Sequence, residues 1–160
     1  MKAEDKISPE ALLTEGKSIQ IKPQGYSMYP LIVPGRDSVV IAPATAAFYR
    51  RGDVVLFRST DKKLTLHRVL RRKKNAYYMV GDNQKEPEGP ITRGQSIGVL
   101  TKIIRNGRSF SVKHPLYAVT ANIWLLLRPC RPAISHAVAK LKHGNTGTHT
   151  EHRNNTDKEG

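Results

Sequence analysis

Between residues 19 and 112 the chain is cut into short runs rich in Val, Ile and Leu, with Pro, Gly, Asn or clustered charge between them. The runs fall at residues 19–21, 38–42, 54–57, 64–70, 76–80, 97–104 and 109–112. Such lengths suit strands rather than helices, because branched side chains pack well on a pleated surface and turn residues keep interrupting them. Asn106-Gly107 separates the last two runs, and both central positions of a two-residue hairpin turn need the positive φ that Asn and Gly tolerate. Residues 71–75 divide another pair of runs in the same way. The expectation is a mainly β fold, a twisted sheet closing on itself as a partial barrel.

Helices belong at the two ends. Ser8-Pro9-Glu10 ahead of Ala11, Leu12 and Leu13 reads as one short helix, with Ser8 as N-cap, Pro9 in the first turn and Gly16 as the stop. Beyond His114-Pro115 an apolar stretch runs from Tyr117 to Leu127, Arg128-Pro129 interrupts it, and Pro132 opens a second helical segment to Lys142 carrying Ile134, Val138 and Leu141. From His143 there is no large apolar residue, so a disordered tail is expected. The resulting organisation is an N-terminal helical arm over 1–17, a β-rich domain over 18–114, a helical segment over 115–142 and the tail over 143–160. At 160 residues one core is expected.

A single cysteine, Cys130, cannot form an internal disulfide. No apolar run approaches the roughly 20 residues of a membrane-crossing helix, so the chain is expected in the cytoplasm or peripheral at the cytoplasmic membrane. The formal net charge of +14 would draw anionic lipid headgroups, nucleic acid or acidic peptide. Aromatic residues make up only 6%, and Tyr77-Tyr78 is the one aromatic pair beside basic residues, too few for a base-stacking platform. Nucleic acid is therefore not an expected partner; peripheral contact with an anionic membrane is, through the basic excess and the stretch around Trp124. Such a helix packing on the sheet to close the core is the plainer expectation.

Three short segments carry chemistry: Gly25-Tyr26-Ser27-Met28-Tyr29-Pro30, then Leu66-His67-Arg68-Val69, then Gly81-Asp82-Asn83. A serine hydroxyl is a poor nucleophile until a neighbour takes its proton. His67, with an ordinary pKa near neutrality, is the candidate base. Alternation puts Leu64, Leu66, Arg68 and Leu70 on one face of their strand and Thr65, His67 and Val69 on the other. Lys62 and Lys63 are alternative bases, but Asp61-Lys62-Lys63 reads as an exposed turn, where a lysine stays protonated. Asp82 can hold an imidazole tautomer, or play a structural role that holds the Ser27 loop, in a turn that Gly, Asp and Asn favour.

In that order the segments resemble the signal peptidase superfamily, in the branch where a histidine stands in place of a lysine base. The resemblance covers roughly residues 19–100. It implies a serine endopeptidase with Ser27 as nucleophile, His67 as base and Asp82, Glu86 or Glu88 orienting the ring. It further implies the Ser27 backbone N–H as an oxyanion donor, and Met28 and Leu66 at the substrate. The substrate is then a peptide or protein bound as an extended strand, a leader or propeptide with small residues before the cut. The runs at 19–21 and 64–69 are where such a strand would add. Gly25 occupies the position at which bacterial leader peptidases carry a second oxyanion donor, a hydroxyl, and in this it is similar to self-cleaving repressors. Alternatives are a regulator of that self-cleaving type, with too few residues before Ser27 for a DNA-binding head, and a non-catalytic basic β-module that binds nucleic acid. No cofactor is expected, since phosphate-loop and dinucleotide patterns are absent. No metal is expected either, since His114, His136, His143, His149 and His152 lack acidic or cysteine partners at ligand spacing.

Overall fold

A computed structural model describes residues 8–44 and 48–130. They fall into two units, one ending at Leu126 and the other beginning at Leu127. Of the second unit the description covers Leu127 and one 3-10 turn, Arg128–Cys130. The expected helical segment from Pro132 and the polar tail from His143 lie outside the described residues.

In the first unit, eight strands make one antiparallel sheet: β1 Ile19–Ile21, β2 Asp37–Pro43, β3 Val54–Arg58, β4 Leu64–Lys73, β5 Ala76–Val80, β6 Glu88–Thr92, β7 Ser96–Arg105 and β8 Arg108–Ser111. Their order is β1-β2-β7-β3-β4-β5-β6, with β8 folded back on β7, and the sheet does not close. This is the mainly β architecture expected, with a short helix at each end: α1 Pro9–Thr14 and α2 Pro115–Leu126. Lys73 pairs with Ala76 and Arg105 with Arg108, so both expected hairpins form around two-residue turns. Asn106 and Gly107 take φ of 51° and 75° there.

The N-cap of α1 also forms as the sequence implies. The Ser8 hydroxyl oxygen accepts from the Glu10 N–H, and Gly16 ends the helix at a φ of +84°. The strand not anticipated is β6. Its Pro90 argues against a strand, yet β6 pairs only with β5 and lies at the end of the sheet, where a missing N–H costs no ladder bond.

β3 lies well inside the sheet, and its alternating residues build a core on each face. Val54 and Leu56 join Met28, Ile32, Ile41 and Leu100 on one side. Val55 and Phe57 join Val69, Tyr77, Met79 and Ile91 on the other. Where β2 begins, Asp37 accepts the Val33 N–H and bonds from both Arg36 and Arg105, which ties the loop before β2 to the end of β7. Burial pushes this carboxyl up, but the bonds from Arg36, Arg105 and Val33 outweigh it and hold it well below the usual carboxylate range.

Candidate functional site

Ser27 stands in the loop between β1 and β2. Gly25 enters it at a φ of +79°, a left-handed conformation that a side chain would strain. The Tyr29 N–H donates back to the Tyr26 carbonyl, and the Ile32 N–H to the Met28 carbonyl. Met28 and Ile32 are buried in the first core, so the loop is anchored just after Ser27. Ser27 itself remains half-buried.

The third segment of the sequence meets the first directly. The Asn83 N–H donates to the Ser27 carbonyl at 2.7 Å. A Cβ on Gly81 would stand 2.6 Å from that same carbonyl oxygen, so the approach of the two chains requires glycine. The expected alternative role of the Gly-Asp-Asn turn, to hold the serine loop, is thus visible in its backbone.

Beside Ser27 lies a depression of about 390 Å³ walled by Met28, Ile32, Leu56, Leu64, Thr65 and Leu66, with Pro23 at its rim. Leu64, Thr65 and Leu66 belong to the first half of β4. That half pairs with β3 alone, because the partnership with β5 starts only at Arg68. Half of its peptide groups therefore point away from β3, toward no strand among the described residues.

Alternation in β4 is seen between Leu66 and Val69 and is broken by a register shift at Leu70. Leu66 packs with Met28 and Leu56, whereas Val69 lies in the opposite core with Phe57. His67 is 4% exposed, and its ring centre stands 5.9 Å from that of Phe57. Burial pushes its pKa down to about 4, with the Asp82 charge opposing. The ring is therefore neutral at neutral pH. Its Nδ1 stands 3.5 Å from a carboxylate oxygen of Glu88 and has no hydrogen-bond partner. Burial also raises the pKa of Glu88. Among the described residues no hydrogen bond joins Ser27 to His67, whose two neighbours in β4 instead reach the serine loop: Leu66 through the pocket and Arg68 through Asp82.

Asp82, expected beside the imidazole, gives both its oxygens to Arg68, each at 2.8 Å. The two side chains are 0% and 1% exposed. Arg68 also donates to the Gly52 carbonyl and to the Tyr117 hydroxyl oxygen. A buried guanidinium needs such a counter-ion, and it takes the carboxylate on its own face of β4. Asp82 acts on His67 through its charge, while Glu88 is the carboxylate in contact with the ring. Glu86, the third candidate, is exposed. Lys62 and Lys63 are exposed in the turn between β3 and β4, as expected.

The role of Arg68 was missed in the sequence, though a signal for it existed. An arginine on the same strand face as Leu64 and Leu66 must either reach water or find a buried anion. Among the described residues, no group of His, Cys, Asp and Glu is arranged to hold a metal ion, and no helix is long and apolar enough to cross a membrane. No curated protein matches the chain. Residues 2–104, which contain all the groups described above from Ser27 to Glu88, match the family model described as Peptidase S24-like, and the chain belongs to that family of peptidases and self-cleaving regulators.

Proposed function

We propose that the chain is a serine endopeptidase in which Ser27 is the nucleophile and His67 the general base, and that it cuts a peptide bound as an extended strand. The observation that carries this reading is the first half of β4, which pairs with β3 on one edge and with no described strand on the other, and which runs past an apolar pocket bordered by Ser27. A peptide added to that edge would gain main-chain hydrogen bonds and drop a small or aliphatic side chain against Met28 and Leu66. Its next carbonyl would then stand at the Ser27 loop.

His67 takes the Oγ proton of Ser27 as Oγ attacks the carbonyl carbon. The oxyanion draws on the Ser27 N–H, which donates to no described group. The proton passes from His67 to the departing amine as the C–N bond breaks and leaves an ester on Ser27. A water deprotonated by His67 then hydrolyses that ester and restores both side chains. Glu88 accepts the Nδ1–H of His67 once the 3.5 Å contact tightens, which catalytic hydrogen bonds do on substrate binding. Asp82 and Arg68 hold the turn against which the Ser27 carbonyl rests.

The test is cleavage of a diverse peptide library, read by mass spectrometry, with wild type, Ser27→Ala and His67→Ala. Cuts made by wild type alone are expected, with both variants folded. Full turnover by either variant would sink the assignment.

A further inference from the structure

From Pro115 to Leu126, α2 carries no charged residue. On one side of it Tyr117 packs against the first core, Ala121 and Leu125 are buried, and the Trp124 indole N–H donates to the Asp82 carbonyl. On the other side Leu116, Val119, Ile123 and Leu126 are 72%, 56%, 52% and 70% exposed. Their spacing of three, four and three residues makes one continuous stripe. A helix that only faces water places charge there.

The polar side chains of α2 make little demand on water. The Thr120 hydroxyl donates to the Leu116 carbonyl, and the Asn122 amide to the Ala118 carbonyl, each at 2.8 Å. Bonding back one turn is how such groups are satisfied where water is scarce.

Along the sequence, the charges flanking α2 have one sign. No Asp or Glu occurs between Glu88 and Glu151, whereas Arg105, Arg108 and Lys113 lie shortly before α2. Leu116 and Thr120 also share an apolar depression of about 380 Å³ with Pro30 and Leu31, bordered by Arg105 and His114. Tyr26 and Tyr29, on either side of Ser27, are exposed.

We infer that the outer stripe of α2 docks on the surface of a bilayer containing anionic lipid. The helix lies in the plane of the interface, with Arg108 and Lys113 among the headgroups. A second copy of the chain would set the same cations against each other, so charge selects the lipid surface as occupant. Because Pro30 and Leu31 adjoin Leu116, docking brings the Ser27 loop to the membrane surface. The inference stands on α2 and its charges, whatever Ser27 does.

Flotation of the full chain with phosphatidylcholine vesicles, with and without phosphatidylglycerol, tests it. Wild type is expected to float with the anionic vesicles at low salt and to be released by high salt. Val119→Gln with Ile123→Gln should weaken partition by roughly tenfold for each side chain exchanged, with an unchanged melting curve because both positions face solvent. Arg108→Gln with Lys113→Gln should also weaken binding, and only to anionic vesicles. Wild type left unbound at low salt, or stripe variants that float as well as wild type, would overturn the inference. So would a dimer in sedimentation velocity that the stripe variant dissociates while no protein floats.

Discussion

Replacing Asp82 by Asn keeps the shape of the side chain and removes its charge, leaving the Arg68 guanidinium buried with an amide where a carboxylate had been. Both groups are almost wholly out of water, and two hydrogen bonds of 2.8 Å join them. Breaking such a pair from one side costs about 3–5 kcal/mol, a large part of the roughly 5–15 kcal/mol that holds a domain together. With a urea slope of about 2 kcal/mol per molar, the unfolding midpoint falls by about 2 M. Circular dichroism across a urea titration measures this. The double variant Arg68→Met with Asp82→Leu removes both charges and should lie closer to wild type than Asp82→Asn, its remaining cost being the lost bonds to the Gly52 carbonyl and the Tyr117 hydroxyl. A loss below about 1 kcal/mol in Asp82→Asn, or strict additivity of Arg68→Met and Asp82→Leu, would refute the view that this pair supports the turn behind Ser27.

Gly81→Ala puts a methyl 2.6 Å from the Ser27 carbonyl oxygen, so the serine loop must shift. Expected are a loss of about 1–3 kcal/mol of stability and a fall in kcat of about a hundredfold; unchanged turnover of a library-derived peptide would show that the Ser27 position is not set there. His67 gives a pH signature. Its folded pKa of about 4 lies below the ordinary 6.5, so the unfolded chain binds the proton more tightly between those values. Its contribution is complete above pH 6.5 and is lost as pH falls through that window, by about 3 kcal/mol at pH 4. Wild type should lose that much more than His67→Gln in paired denaturation curves, and the acid limb of kcat/KM should lie well below pH 6.5. Coincident stability profiles would contradict it.

What the sequence made legible was whatever depends on near neighbours. Ser8, Pro9 and Gly16 bound α1, and Asn106-Gly107 turns β7 into β8, because capping and turn chemistry act within a few residues. The pairing of Asp82 was not legible in this way. Alternation located Arg68 on the apolar face of β4, but only the fold shows that the nearest buried anion on that face is Asp82, while Glu88 comes round to His67 on the edge strand β6. That edge strand was itself hidden, since Gly89-Pro90 looks like a turn until its place at the margin of the sheet is known. For α2, the apolar stretch was visible in sequence, but not which residues face the sheet and which face outward.

The strand order also carries a consequence for how the site comes into being. β7 is the one strand that touches both β2 and β3, so it clasps the hairpin bearing Ser27 to the meander bearing His67. Asp37 meets Arg105 across that seam, a pairing of high sequence separation and slow closure. In a chain emerging from the ribosome the Asn83–Ser27 contact can form early, but the two pieces of sheet that carry Ser27 and His67 are joined strand to strand only once residue 105 has been made. The sheet therefore works as a timer: the surroundings of Ser27 are complete only on a copy that has seated β7.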